Sequence, residues 1–173
     1  YEIAGFVWFQ GWNDMVDSGT YPDRGQPGGY DQYSELLAQF IRDVRKDLSA
    51  PNLPFVIGVM GVGGPTDQYG PGQQRYKGVH QNFRDAMAAP AALAGFKDNV
   101  AAVFTEKYWD MEVVALRARE NEIKPKANEI NDAVKAGKLS REEGEAALEK
   151  LYAETFTPRE LVMLKESKSN FEF

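Results

Sequence analysis

Three short segments of continuous hydrophobicity constrain the fold of this chain most. They cover residues 3–9, 54–62 and 99–105, and no charged residue interrupts any of them. Uninterrupted apolar runs are typical of strands covered on both faces, as in parallel sheets, whereas half-exposed strands alternate apolar and polar residues. The three segments therefore predict the central strands of a parallel sheet.

Two amphipathic segments lie between the predicted strands. Residues 30–48 and 73–89 each carry apolar side chains at helical spacing. Asp31 is the predicted N-cap of the first helix, and Pro51 prevents its extension. The order strand, helix, strand, helix, strand predicts a right-handed βαβαβ unit with helices packed on the sheet. Residues 12–29, which join the first strand to the first helix, are predicted to form a long functional loop.

The sequence becomes highly charged after residue 110. Residues 111–136 and 140–153 have helical patterns, and Gly137 separates them. Ser140 and Glu143 have the spacing of a capping box, in which each side chain bonds the other residue's free backbone N–H. The two segments therefore predict a helical hairpin.

A third helix is predicted to begin at Thr157-Pro158, because proline is well tolerated in a first turn. Pro125 is expected to kink or delay the first helix of the hairpin. We predict two regions: an α/β core over residues 1–110, and a helical insertion or appendage over residues 111–173. The charged helices are interpreted as a solvated surface, with a lid or a subunit contact as the alternative.

Composition excludes several classes of function. The chain has 173 residues, a formal net charge of −6, no cysteine and a single histidine, His80. The negative charge argues against nucleic-acid binding and against attraction to an anionic membrane. No apolar run approaches the roughly 20 residues that span a bilayer. Thiolate and multi-histidine metal sites are excluded, so we predict no metal site.

Two further features have simple interpretations. His80 is interpreted as a structural histidine that bonds a neighbouring loop, not as a catalytic base. Four aspartates crowd one loop region but lack the arrangement of an EF-hand, so they are interpreted as solvated; they are Asp14, Asp17, Asp23 and Asp31.

The segment V-W-F-Q-G-W-N-D, residues 7–14, ends the first predicted strand, where open parallel sheets bind ligands. The amides of Gln10 and Asn13 can donate hydrogen bonds to an oxyanion at every working pH, because they do not titrate. In the alternative, Asn13 and Asp14 form an Asx-type turn and bond their own loop backbone. The residue types alone favour the Asx-type turn.

W-F-Q-G-W-N-D resembles the Trp-x-Gln-Gly-Glu-x-Asn/Asp block of the sialate O-acetylesterase and acetylxylan esterase-like family of SGNH (GDSL-like) hydrolases. Its last four residues also resemble the Gly-x-Asn-Asp block of the wider superfamily. The stretches G-V-M-G-V-G-G-P and G-V-H-Q-N-F-R-D-A-M-A-A-P resemble family members as well. The resemblance covers most of residues 1–110. It implies a three-layer αβα, flavodoxin-like fold with a parallel sheet, here incomplete at both ends and followed by the helical hairpin.

The resemblance also implies a function, namely removal of O-acetyl groups from sialic acid or xylan-like sugars. It implies an acetylated carbohydrate as partner, no metal or organic cofactor, and a secreted or periplasmic location. Gln10 or Asn13 would donate to the oxyanion, and Gly11 would keep the turn close. The family has glutamate where this chain has Trp12, which suggests an aromatic contact for the sugar. Asp14 is a further expected substrate contact.

The glycine-rich stretch at residues 58–65 is interpreted as a close backbone approach at the rim of the cleft, with Gly63 and Gly64 contacting substrate. A nucleotide-binding loop is the rejected alternative, because the spacing is not G-x-G-x-x-G, Pro65 interrupts the helix start and no Lys-Ser/Thr follows.

By resemblance, the nucleophilic serine belongs to a Gly-Gln-Ser block before the segment where this chain begins, and the catalytic histidine follows shortly after its last residues. No serine here has that context; they are Ser18, Ser34, Ser49, Ser140, Ser167 and Ser169. Glu172 is near the expected histidine but is not assigned as the acid. We therefore expect an esterase parent and an inactive chain. The alternative is a non-catalytic carbohydrate-binding or scaffold module that uses Trp8, Trp12 and Tyr21.

Overall fold

A computed structural model describes residues 3–169, so Glu172 lies outside the described residues. The chain divides into two compact units, Tyr1–Trp109 and Asp110–Phe173. The first contains a parallel sheet with α-helices, and the second is helical where it is described. None of the helices within residues 3–169 is both long enough and apolar enough to cross a bilayer.

The three predicted strands pair in parallel, in the order β1-β2-β3, which confirms the predicted sheet. They are β1 (Phe6–Trp8), β2 (Phe55–Val59) and β3 (Val100–Phe104). Each strand is shorter than its apolar segment, because the ends of the segments form the connections at the two edges of the sheet. The register places Phe55 between Phe6 and Val100.

The described part of the first unit contains three α-helices, and they differ from the predictions at their starts. They are α1 (Trp12–Val16), α2 (Asp31–Asp47) and α3 (Lys77–Ala88). The expected loop at residues 12–29 is wrong at its beginning, because α1 occupies its first five positions. A separate 3-10 turn, Gln74–Tyr76, precedes α3, which therefore begins later than predicted.

Asp31 is the first residue of α2 and not its N-cap, which corrects the prediction. Tyr30 holds the N-cap position, and its side chain makes no capping bond. The Tyr30 ring is instead buried, with its hydroxyl donating to the carbonyl oxygen of Met15 at 2.6 Å. Core packing of an aromatic ring has therefore displaced the expected cap.

Helices α2 and α3 pack together against one face of the sheet. The buried core combines Phe55 and Ile57 from β2 with Ile41 from α2 and with Phe83 and Met87 from α3. The amphipathic faces read from the sequence are thus the buried faces. The helical layer on this side of the sheet is complete enough to exclude water from β2.

The opposite face of the sheet is also apolar, but it is exposed. Val7 is 70 % exposed and Val103 is 44 % exposed. Gly58 belongs to this face, and a β-carbon there would collide with the ring of Phe9. Parallel sheets are ordinarily covered on both faces. The fold is an incomplete αβα three-layer fold, of which the first unit contains the sheet and one helical layer.

The second unit is formed by α4 (Met111–Lys135), α5 (Arg141–Thr155) and α6 (Pro158–Ser169), as the sequence predicted. Helix α4 runs through Pro125 without a break, so the proline does not delay it. The capping box of Ser140 and Glu143 is present in full at the start of α5.

A small apolar core holds the helices of this unit together, formed by Leu116, Phe156 and Leu164. A β-carbon on Gly144 would collide with Val134, so glycine allows α4 and α5 to approach closely. Gly137 has a φ of 70° and ends α4 in the left-handed conformation that glycine adopts without strain.

Candidate functional site

The connections that follow the three strands lie at one edge of the sheet, because the strands are parallel. Residues 10–14 follow β1, residues 60–64 follow β2, and Thr105 and Glu106 follow β3. Ligands of open α/β sheets bind outside the carboxyl ends of the strands. This edge, which we call the carboxyl edge, therefore holds the candidate site.

The turn after β1 closes tightly at Gly11. A β-carbon at this position would lie 2.7 Å from two ring carbons of Phe83 and 3.3 Å from the hydroxyl of Tyr33. The Tyr33 hydroxyl donates to the carbonyl oxygen of Gln10 at 3.0 Å and accepts from the Trp8 indole at 3.4 Å. Helices α2 and α3 thus hold the turn in place, and only glycine fits at its centre.

Gln10 and Asn13, the two predicted oxyanion donors, are both exposed at the carboxyl edge. The Gln10 amide donates to an Asp14 carboxylate oxygen at 3.1 Å. The Asn13 carboxamide, in α1, has no hydrogen-bond partner within residues 3–169. Asn13 is therefore the unengaged amide of the pair.

An Asx-type turn does occur in this loop, but at Asp17 and not at Asn13 and Asp14. The Asp17 carboxylate accepts from the backbone N–H of Gly19 at 2.7 Å and from the Thr20 hydroxyl at 2.7 Å. The bond from Thr20 is the main reason why the pKa of Asp17 is lowered.

Within the described residues, no three His, Asp or Glu side chains are grouped to hold a metal ion.

Trp12 presents its indole at the same edge, where it is 53 % exposed. The two other aromatic residues predicted as surface contacts are less accessible. Tyr21 is 4 % exposed and packs against Tyr30, and Trp8 is half-buried beside Phe40. Trp12 is therefore the exposed member of this aromatic set.

The connection after β2 is fixed by Arg84 of α3, which is only 2 % exposed. Its guanidinium donates to the carbonyl oxygens of Met60 at 3.0 Å, Val62 at 2.8 Å and Gly64 at 2.9 Å. Gly63, with a φ of 83°, approaches Tyr69 so closely that a β-carbon would lie 2.5 Å from its hydroxyl. Gly63 thus makes a close backbone approach to Tyr69, while a cleft rim and substrate contact by Gly63 and Gly64 stay predictions.

His80 bonds the loop that precedes its helix, which confirms its structural interpretation. Its Nδ1 lies 2.6 Å from the Tyr69 hydroxyl, and the same hydroxyl donates to the carbonyl oxygen of Val62 at 3.0 Å. A phenol has one proton, so both contacts are satisfied when His80 Nδ1–H donates to Tyr69. Burial, together with the charge of Arg84, lowers the pKa of His80 to about 4.

Glu106 places a carboxylate after β3. Its Oε2 atom is buried and has no hydrogen-bond partner within the described part of the chain. The backbone around it packs closely on the connection after β2, since a β-carbon on Gly61 would lie 2.5 Å from the Glu106 nitrogen. The Thr105 hydroxyl donates to the carbonyl oxygen of Val59 at 2.7 Å and fixes the end of β3.

A family model described as carbohydrate esterase, sialic acid-specific acetylesterase, matches residues 1–108. The chain belongs to this family. The resemblance read from the sequence is confirmed. The match covers the sheet, helices α1–α3 and all three connections at the carboxyl edge. No curated protein and no solved structure matches the chain.

Serine esterases in general need a nucleophile hydrogen-bonded to a base. His80 contacts Tyr69 and Tyr76, and no serine hydroxyl within residues 3–167, where the side chains are described, is hydrogen-bonded to it. The Ser34 hydroxyl donates to the carbonyl oxygen of Ala86, and the Ser167 hydroxyl donates to that of Leu164. These two serines have structural partners.

Two residues of the carboxyl edge, Arg84 and Glu106, were not found by sequence reasoning. A signal for Arg84 was present, because it is four residues after His80 and three before the buried Met87, on the same side of α3. Glu106 carried no such signal, since a single acidic residue after a strand is ordinary.

Proposed function

We propose that this chain forms the oxyanion-binding part of an acetylesterase that removes acetyl groups from O-acetylated carbohydrates. The observation that carries the proposal is the unengaged carboxamide of Asn13, exposed at the carboxyl end of β1 beside the closed turn at Gly11. Membership of a carbohydrate esterase family supports the substrate class.

Attack on the acetyl carbonyl gives a tetrahedral intermediate whose oxygen carries a full negative charge. Asn13 Nδ2–H is a neutral donor that remains a donor at every working pH. It makes no hydrogen bond within the described residues that would have to break before it binds the oxyanion. Gln10 is the less suitable donor, because its amide already bonds the Asp14 carboxylate. Gln10 and Asp14 instead hold each other across the turn, where Asp14 keeps an oxygen for a sugar hydroxyl.

The role of α3 in this mechanism is positional. Phe83 closes the turn that places Asn13, and Arg84 fixes the connection that carries Gly63 and Gly64. Trp12, one residue before Asn13, offers an apolar ring against which a sugar ring stacks. The end of β1 then supplies the oxyanion donor and the aromatic platform, and the end of the neighbouring strand β2 supplies the glycine rim.

The nucleophilic serine and the histidine base are supplied by the full-length polypeptide, and the 173 residues alone are inactive. Without a nucleophile and base in contact, most of the rate of a serine esterase is lost. The helices after residue 110 form an insertion or appendage to the α/β region.

The test compares acetate release by the polypeptide of the complete reading frame with that by the 173-residue chain, on O-acetylated sialic acid and on acetylated xylan oligosaccharides. Asn13→Ala in the active polypeptide is expected to lower kcat by about 10²–10³-fold, the usual effect of removing one oxyanion donor. Gln10→Ala is the matched control and is expected to have a much smaller effect.

Two results would contradict the proposal. One is an Asn13→Ala variant with unchanged kcat, which removes the oxyanion role. The other is turnover by the 173-residue chain that is abolished by a substitution within it, which shows that the chain holds its own nucleophile. Binding of the sugars without turnover in either polypeptide would instead support a carbohydrate-binding module.

A further inference from the structure

The connection after β2 uses its carbonyl groups and its amide groups in opposite ways. Each of the five carbonyl oxygens from Met60 to Gly64 accepts a hydrogen bond. Arg84 donates to three of them, Gly64 N–H donates to Gly61 at 2.9 Å, and the Gln73 amide donates to Gly63 at 3.5 Å.

The amides of the same segment are largely unpaired. The N–H groups of Gly61, Val62 and Gly63 find no acceptor within residues 3–169, while their neighbours Met60 and Gly64 both donate. Gly61 and Gly63 are buried. Buried backbone donors without acceptors are rare, because the loss of water is not compensated. Two buried donors and the half-buried one between them indicate an acceptor that the described residues do not supply.

The charge of Arg84 supports the same conclusion. Its guanidinium is buried, and its partners in the described part of the chain are three carbonyl oxygens and the Tyr69 hydroxyl, with no carboxylate among them. A buried cation that lacks an anion is unfavourable. A negatively charged ligand at the neighbouring amides supplies the missing charge. Consecutive backbone N–H groups in such a turn form a concave anion site.

We propose that the amides of Gly61, Val62 and Gly63 bind a carboxylate and that Arg84 is the residue that positions them. Arg84 turns the carbonyl groups towards α3, which leaves the amide hydrogens free to face the ligand. The inference rests on the proposed function, because the site shares the carboxyl edge with Asn13. The carboxylate has two sources in that function, the acetate that is released and the carboxyl group of an acidic sugar.

The test is an NMR titration of the 15N-labelled 173-residue chain with sodium acetate, with sodium chloride at equal ionic strength as control. The amide resonances of Gly61, Val62 and Gly63 are expected to shift saturably with acetate and not with chloride. A second arm uses N-acetylneuraminic acid and its methyl ester, which lacks the carboxylate and is expected to leave the three amide resonances unshifted. Tighter binding of the free acid than of acetate assigns the site to the sugar carboxylate, and the reverse order assigns it to released acetate.

Arg84→Lys is expected to weaken binding at least tenfold, because an ammonium group cannot span three carbonyl oxygens as the guanidinium fork does. Arg42→Lys, an exposed arginine of α2, is the matched control and leaves binding unchanged. If Arg84→Lys does not fold, the wild-type titration decides alone. Absent shifts at the three amides, or equal shifts with chloride, overturn the inference. That failure is distinct from failure of the proposed function, which is judged by the kcat of Asn13→Ala.

Discussion

The ring of Phe83 occupies the space that a β-carbon on Gly11 would need. Two of its ring carbons lie 2.7 Å from that position, and the ring is fully buried between Tyr30 and Tyr33. The next residue, Arg84, holds the connection after β2. Two adjacent residues of one helix therefore control two of the three strand ends at the carboxyl edge.

Gly11→Ala is expected to lower the free energy of unfolding by about 2–3 kcal/mol, because the added methyl group meets a buried ring that cannot move and the backbone φ of 154° disfavours alanine. Urea denaturation measures the change. Gly25→Ala is the control, since a β-carbon there meets nothing within 4 Å. Equal midpoints for the two variants would show that the turn is not held as described.

His80 is expected to make stability depend on pH between about 6.5 and 4. Its pKa in the folded protein is about 4, below the ordinary value of 6.5, so protonation favours the unfolded chain. The stabilisation is therefore complete above pH 6.5 and is lost as the pH falls through 4. Because the side chain is partly exposed, we expect a loss of about 1–2 kcal/mol.

Thermal or urea unfolding between pH 7 and pH 5 measures this loss. His80 is the only histidine of the chain, so His80→Gln removes the one histidine contribution. Carboxylates with lowered pKa values, such as Asp17 and Glu160, also stabilise the folded protein, but this contribution is lost only at lower pH. They therefore do not interfere with the measurement between pH 7 and pH 5. A wild-type slope that persists in His80→Gln would contradict the assignment.

The sheet was predictable from the sequence, because three uninterrupted apolar runs leave few alternatives to buried parallel strands. The details of the site were not predictable in the same way. Helix α1 is five residues long, too short to show a helical period. The buried position of Arg84 depends on carbonyl groups that lie 20 to 24 residues away along the chain. Sequence reasoning placed Gln10 and Asn13 together, but only the bond from Gln10 to Asp14 separates their roles.

Glu106→Gln is expected to stabilise the protein by about 1 kcal/mol, because one carboxylate oxygen is buried without a donor and a neutral amide is less costly to bury. The measurement is the urea midpoint at pH 7, with Glu35→Gln as the exposed control. A destabilised Glu106→Gln would reveal that the charge is needed, as it would be for a partner of a catalytic base.

The exposed apolar face of the sheet gives a prediction about the third layer. Val7→Thr is expected to change the stability of the 173-residue chain by less than about 0.5 kcal/mol, because Val7 is already 70 % exposed. In the polypeptide of the complete reading frame, the same substitution is expected to cost about 1 kcal/mol, because a helical layer would then bury the hydroxyl. Ile57→Val, on the covered face, should cost about 1 kcal/mol in both. Equal small effects of Val7→Thr in the two polypeptides would show that this face remains uncovered.

Trp12 separates sugar binding from catalysis. Its indole is half-exposed and is not part of the buried core, so Trp12→Ala should leave the urea midpoint unchanged. A stacked sugar ring is worth about 0.5–1.5 kcal/mol, so affinity for an O-acetylated sugar should fall roughly 2- to 10-fold in calorimetry with the 173-residue chain. Trp12→Phe, which keeps an aromatic face, should retain most of the affinity.

In the active polypeptide, Trp12→Ala should raise KM with little change in kcat, the opposite of the pattern expected for Asn13→Ala. If Trp12→Ala lowers kcat at unchanged KM, the ring orients the reacting acetyl group and does not serve as a platform for the sugar.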